Sequence, residues 1–107
     1  MKHSQKYDHF YLYSEIEEII KGYLREYPSF TRLESIGVTA EGRNIWAVSV
    51  TDTANGGFEE KPAYCVNANI HAGEVTGSMC AMYLLDVLYS NMDDPEIKKL
   101  LASYTFY

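Results

Sequence analysis

Positive charge is scarce in this sequence: nine Lys and Arg stand against fifteen Asp and Glu, a net charge of −6. A nucleic-acid surface needs clustered Lys and Arg, so no nucleic-acid partner is expected. Long apolar runs are also missing. None approaches the ~18 to 20 residues that a membrane-spanning helix requires, so no membrane partner is expected. The opening Met1-Lys2-His3-Ser4-Gln5-Lys6 lacks the apolar stretch of a signal peptide. A cytoplasmic location is the default expectation. Two cysteines make no disulfide framework. Cys65 and Cys80 fall on a predicted strand and a predicted helix, and both read as buried thiols. Internal repeats and low-complexity tracts are absent as well.

What is present suits one small domain: 107 residues, 47% of them hydrophobic. Residues 1–12 are polar and aromatic without a period and read as a leader lying on the domain. Ser14-Glu15-Ile16-Glu17 reads as a capping box, Ser14 at the N-cap and Glu17 at N3. Ile16, Ile19, Ile20, Tyr23, Leu24 and Tyr27 then follow helical spacing until Pro28. Thr31 to Thr39, alternating around Leu33 and Ile36, and Asn44 to Val50 read as an antiparallel hairpin closed by Ala40-Glu41-Gly42-Arg43. Arg43 either binds a ligand or ties the turn down through hydrogen bonds, and the second reading is the more ordinary. Asp52 to Lys61 is a loop around Asn55-Gly56-Gly57.

Pro62 to Asn67 reads as a short buried strand. Val75 to Tyr89, with Asp86 its only charge, reads as a buried helix. Asp94-Pro95-Glu96 opens a further helix, with an N-cap, Pro at N1 and an acid in the first turn. Ser103 to Tyr107 has strand composition. The order argues for an α/β fold, a mixed sheet with flanking helices, incomplete as a layered domain. An unpaired last strand and open sheet faces would favour self-association.

Between the third strand and the long helix stand His71 and Glu74, three residues apart. Ligand sites of α/β proteins gather at such strand-to-helix junctions. Zinc accepts imidazole nitrogen and carboxylate oxygen, and its catalytic sites use three protein ligands plus water. An acid in the first helical turn also offsets the positive end of the helix dipole. Gly73 would permit an unusual backbone angle or a close approach, and Gly77 would mark a close packing contact. The alternative is a structural His beside a solvated Glu, which spacing alone does not separate from a ligand pair. His3 and His9, near the terminus, are further metal-ligand candidates, though exposed terminal histidines are the ordinary case.

Three stretches resemble the N-terminal part of the zinc metallocarboxypeptidase family (carboxypeptidase A/B-like). Tyr13-Ser14-Glu15-Ile16 resembles the opening of the family's first helix. Ile36 to Ile45, with Glu41-Gly42-Arg43, resembles its hairpin motif. Ala68-Asn69-Ile70-His71-Ala72-Gly73-Glu74 resembles its first zinc-binding motif. Leu100 to Tyr107 resembles the lead into its next strand. Residues 13–107 are thus expected to be the N-terminal portion of such a catalytic domain.

The resemblance implies zinc as cofactor, with His71 and Glu74 as its first two ligands. It implies a peptide substrate, and removal of a C-terminal residue as the reaction. The family's third ligand, general-base Glu and substrate-binding Arg have no counterpart in this sequence. No catalytic residue is therefore assigned, and the chain alone is expected to be inactive. Gly73 stands where digestive members carry a substrate-contacting Arg, so side-chain preference is not carried over. His-Ala-Gly-Glu is closer to non-digestive branches, some of which act on bacterial cell-wall peptides. Two alternatives stay open: a related zinc amidohydrolase acting on acylated amino acids, and a catalytically silent domain that self-associates or binds a partner.

Overall fold

A computed structural model of the chain describes residues 1–107. Helix α1 (Tyr13–Glu26) leads into strands β1 (Thr31–Val38) and β2 (Asn44–Val50), then a 3-10 turn at Thr53–Asn55. Strand β3 (Ala63–Tyr64), helices α2 (Val75–Ser90) and α3 (Pro95–Ser103), and strand β4 (Thr105–Phe106) follow. The sheet runs β1-β2-β4-β3, with β3 parallel to β4 and the other two pairs antiparallel. The expected α/β class, a mixed sheet with flanking helices, is what is found.

The hairpin forms as its alternation predicts, with one correction. Pairing slips between Ser35 and Gly37, so Ile36 is the extra residue of a bulge and stands 70% exposed rather than alternating inward. The turn closes through Thr39 N–H to the Arg43 carbonyl at 2.8 Å, with Gly42 at a φ of 80° that favours glycine. Helix α1 also starts earlier than expected. Its N-cap is Leu12, whose N–H donates to Glu15 Oε2 at 2.7 Å, so Glu15 and not Glu17 closes the cap. Leu12 has no side-chain acceptor, and only the reciprocal half of a capping box exists. Glu17 instead pairs with Lys21 one turn on. Asp94 caps α3 as read, accepting from the N–H of Glu96 and of Ile97.

The core lies where α1, β2, the second half of α2 and α3 meet. Tyr23, Val50, Leu88, Tyr89, Ile97 and Leu101 are all buried there. Tyr23 stacks on Tyr89 at 4.2 Å between ring centroids, and the Tyr89 hydroxyl bonds Thr31 Oγ1 at 2.7 Å. Lys61 Nζ donates to Thr51 Oγ1 and to the carbonyls of Asp52 and Leu101, which ties the loop to the end of α3.

Three expectations fail in the second half. The last strand is not unpaired: β4 sits inside the sheet between β2 and β3, with Thr105 fully buried. The stretch Pro62 to Asn67 is not buried. Only Ala63–Tyr64 form strand, at the sheet edge, and every residue from Pro62 to Asn67 is exposed because no element of this chain covers them. Cys65 and Cys80 are accordingly exposed thiols, not buried ones.

Helix α2 is buried at one end only. Met82, Asp86, Leu88 and Tyr89 are enclosed, whereas Val75, Thr76, Cys80 and Tyr83 are exposed. The enclosed charge is satisfied by the N-terminal segment. Asp86 accepts from the Ser4 N–H and hydroxyl, the Gln5 N–H, the Tyr7 hydroxyl and the Ser90 hydroxyl. Burial pushes its pKa up, but the bonds from Gln5, Ser4 and Ser90 outweigh that and hold it at about 2. No helix is long and apolar enough to cross a membrane.

Candidate metal centre

The connection from β3 into α2 is irregular, and its shape is set by Asn69. That residue adopts a positive φ of 65°, a left-handed conformation that Asn tolerates better than most residues. Ser78, in the first turns of α2, donates to Asn69 Oδ1 at 3.1 Å and fastens the bend to the helix. The bend therefore falls just before His71, and the helix starts just after Glu74. Sequence reasoning passed over Asn69; its place two residues before the His was the available signal.

His71 and Glu74 come together. His71 Nδ1 lies 3.2 Å from Glu74 Oε1, and the His71 N–H donates to Glu74 Oε2 at 3.3 Å. The Glu74 N–H returns to the His71 carbonyl at 3.0 Å. Both side chains are open to solvent, 81% and 59% exposed. Donor atoms on a tetrahedral zinc ion, each ~2.0 to 2.1 Å from it, stand about 3.3 Å from one another. The observed separation thus suits both a direct hydrogen bond and a shared cation. An imidazole nitrogen and a carboxylate oxygen are the donors zinc accepts. The residues fit two of its three protein ligands.

No third ligand joins them, and nowhere in the chain do three His, Cys, Asp or Glu converge in a metal-binding group. His3 turns its Nδ1 to the Gln5 carbonyl at 3.1 Å and packs against Tyr7 and Tyr83. His9 is occupied on both ring nitrogens, by Asp8 at 2.8 Å and Glu15 at 2.7 Å. Those two carboxylates, Asp8 first, raise its pKa. Arg43 pairs with Glu41 at 2.6 Å and lies over the Tyr13 ring, which is the turn-tying role.

The glycines do not carry the meanings expected of them. Gly73 has no positive φ, and a Cβ built on it meets nothing within 4 Å. At Gly77 a Cβ would touch Ala68 Cβ at 3.6 Å, an ordinary contact. Beside the pair lies an open groove of about 500 Å³ between the 66–70 stretch and α2, lined by Val66, Ile70, Glu74, Cys80 and Leu84.

Residues 16–107 match the family model described as zinc carboxypeptidase, and the chain belongs to that family. It is similar to carboxypeptidase D of Anas platyrhynchos, 34% identical over 94 residues, covering 85% of this chain and 7% of that protein. Carboxypeptidase M of Mus musculus is 35% identical over 89 residues, covering 82% of this chain and 20% of its own length. A zinc carboxypeptidase of Saccharothrix mutabilis subsp. capreolus is 29% identical over 79 residues, 73% of this chain and 18% of that one. The chain spans a fifth or less of the length of these relatives.

Proposed function

We propose that residues 13–107 form the N-terminal portion of a zinc metallocarboxypeptidase catalytic domain, in which His71 and Glu74 are two of the three zinc ligands. One observation carries this: the family's residues His71 and Glu74 meet at 3.2 Å, at the helix start where an anionic ligand is favoured. When bound, zinc supplies a polarised scissile carbonyl and a more acidic water. The chain's own part is narrower. Asn69 and Ser78 set the bend, the His71 and Glu74 main chains lock to each other, and the two side chains hold one nitrogen and one oxygen 3.2 Å apart. The substrate class is a peptide with a free C-terminus.

The absence of a third ligand beside the pair supports a reading of the chain alone. A two-ligand site holds zinc more weakly than a three-ligand one, and no positioned carboxylate remains to act as general base. The isolated polypeptide is therefore a metal-binding but inactive portion. Nothing here favours the amidohydrolase alternative. The self-associating reading gains from one feature, the exposed edge at β3 with Tyr64, Val66 and Ile70 uncovered. A sedimentation series over concentration decides it, and a monomer throughout would dismiss it.

The ligand assignment is tested by zinc titration followed in the NMR signals of the three histidines. Shifts at His71, with His3 and His9 unmoved, are expected. Shifts at His3 or His9 alone would sink the assignment. The inactivity is tested on peptides with free C-termini, where hydrolysis that disappears in His71→Ala would overturn it.

A further inference from the structure

The bonds between the N-terminal segment and α2 fall in order along the helix. Lys2 meets Asn91, through its N–H to Oδ1 at 2.9 Å and through Asn91 Nδ2 to its carbonyl at 2.8 Å. Ser4 and Gln5 meet Asp86, at 2.8 Å from each N–H. Tyr7 reaches the Met82 carbonyl and Asp86, and the Tyr11 N–H reaches Met79 Sδ at 3.4 Å. Positions 79, 82 and 86 recur at helical spacing on one face. The segment thus runs antiparallel to α2, from its buried end towards its exposed one. Its last bond, at Met79, lies roughly 7.5 Å along the axis from Glu74, at ~1.5 Å per residue.

We infer that residues 1–12 are a strap that positions the ligand-bearing end of α2, with Asp86 as the positioning residue that latches it. This rests on His71 and Glu74 being the zinc ligands. The exposed first turns of α2 have few other tethers: the Ser78 to Asn69 bond, and Gly77 against Ala68 and Asn69. Rigid helical backbone carries the constraint from Asp86 to Glu74. The latch is built for one partner, since the donors meeting Asp86 from outside its own helix all come from Ser4, Gln5 and Tyr7. No cation pairs with it, so the backbone of the strap is what keeps this carboxylate satisfied. Replacing an oxygen with an amide NH2 would set donor against donor.

The test compares hydrogen exchange and zinc affinity in the full chain and three variants. Asp86→Asn breaks the latch from the helix side. Ser4→Pro breaks it from the strap side, deleting the N–H and the hydroxyl while leaving every core residue in place. Ser4→Thr keeps both groups and serves as the rescue. In the first two variants, amides 76–83 should be accelerated at least tenfold more than the Trp46–Val50 amides, and zinc should bind several-fold more weakly. Ser4→Thr should match the parent chain. Unchanged exchange at 76–83 in Ser4→Pro, or equal acceleration in the hairpin, would overturn the inference. A parent chain that binds no zinc through His71 would overturn the ligand reading instead, while the exchange result still decides whether the strap holds α2.

Discussion

The two ends of α2 are one helix in two environments. Its second half packs Leu88 and Tyr89 into the core and encloses Asp86 among five donors. Its first turns, with His71 and Glu74 just before them, are more open and are held by the Ser78–Asn69 bond and by Tyr11 at Met79. The buried contacts are concentrated at one end of the helix, and the proposed metal ligands stand at the other. The charge network at Asp86 lies about three helical turns from Glu74.

The largest effect should come from the buried end. Asp86→Ala leaves the Ser4 and Gln5 N–H groups and three hydroxyls, those of Ser4, Tyr7 and Ser90, without this acceptor. It should cost about 3–5 kcal/mol, as breaking one side of a buried charge network does. Leu88→Ala, at a side chain 2% exposed, should cost about 2–5 kcal/mol through lost packing and the cavity left. Both are read as midpoint shifts in urea unfolding. Losses below about 1 kcal/mol would erase the contrast between the two ends.

Acid should act on the same latch. Asp86 has its pKa depressed from 3.8 to about 2, so its contribution is complete above about pH 4 and is lost as pH falls through 2. The amide signals of Ser4 and Gln5 should therefore titrate with a midpoint near 2. A midpoint near 4 would mean that the bonds to Asp86 do not hold its charge.

At the exposed end the effects should be small. Gly77→Ala should stabilise by up to ~1 kcal/mol, since alanine is the better helix former and its Cβ fits. A loss of 2 kcal/mol would reveal a crowding that the 3.6 Å contact does not show. His71→Ala should change stability by no more than ~0.5 kcal/mol, as exposed positions do, while removing metal affinity.

Local chemistry was legible in the sequence, and long-range chemistry was not. Asp94-Pro95-Glu96 specifies a cap within four residues, and the structure has it. The hairpin follows from alternation and a glycine turn. Asp86 was visible as the lone charge of an apolar helix, but its partners lie 79 to 82 positions away, and no local pattern announces them. Burial failed where it depends on neighbours: Pro62 to Asn67 and Cys80 are apolar enough for a core, yet nothing in this chain packs over them. The bulge at Ile36 and the cap at Leu12 failed for a smaller reason, a shift of one or two residues in an otherwise correct element. His71 and Glu74 stood out by their place between a predicted strand and helix and then by a motif resembling one family, and the match over residues 16–107 places the chain in that family.

The most direct measurement is a calorimetric zinc titration of the metal-free chain beside His71→Ala and Glu74→Gln. The account predicts up to one zinc per parent chain, with affinity at least tenfold weaker in either variant and the melting temperature of the metal-free proteins unchanged. Equal affinity in all three would show that His71 and Glu74 do not hold the metal, and the central claim would fall.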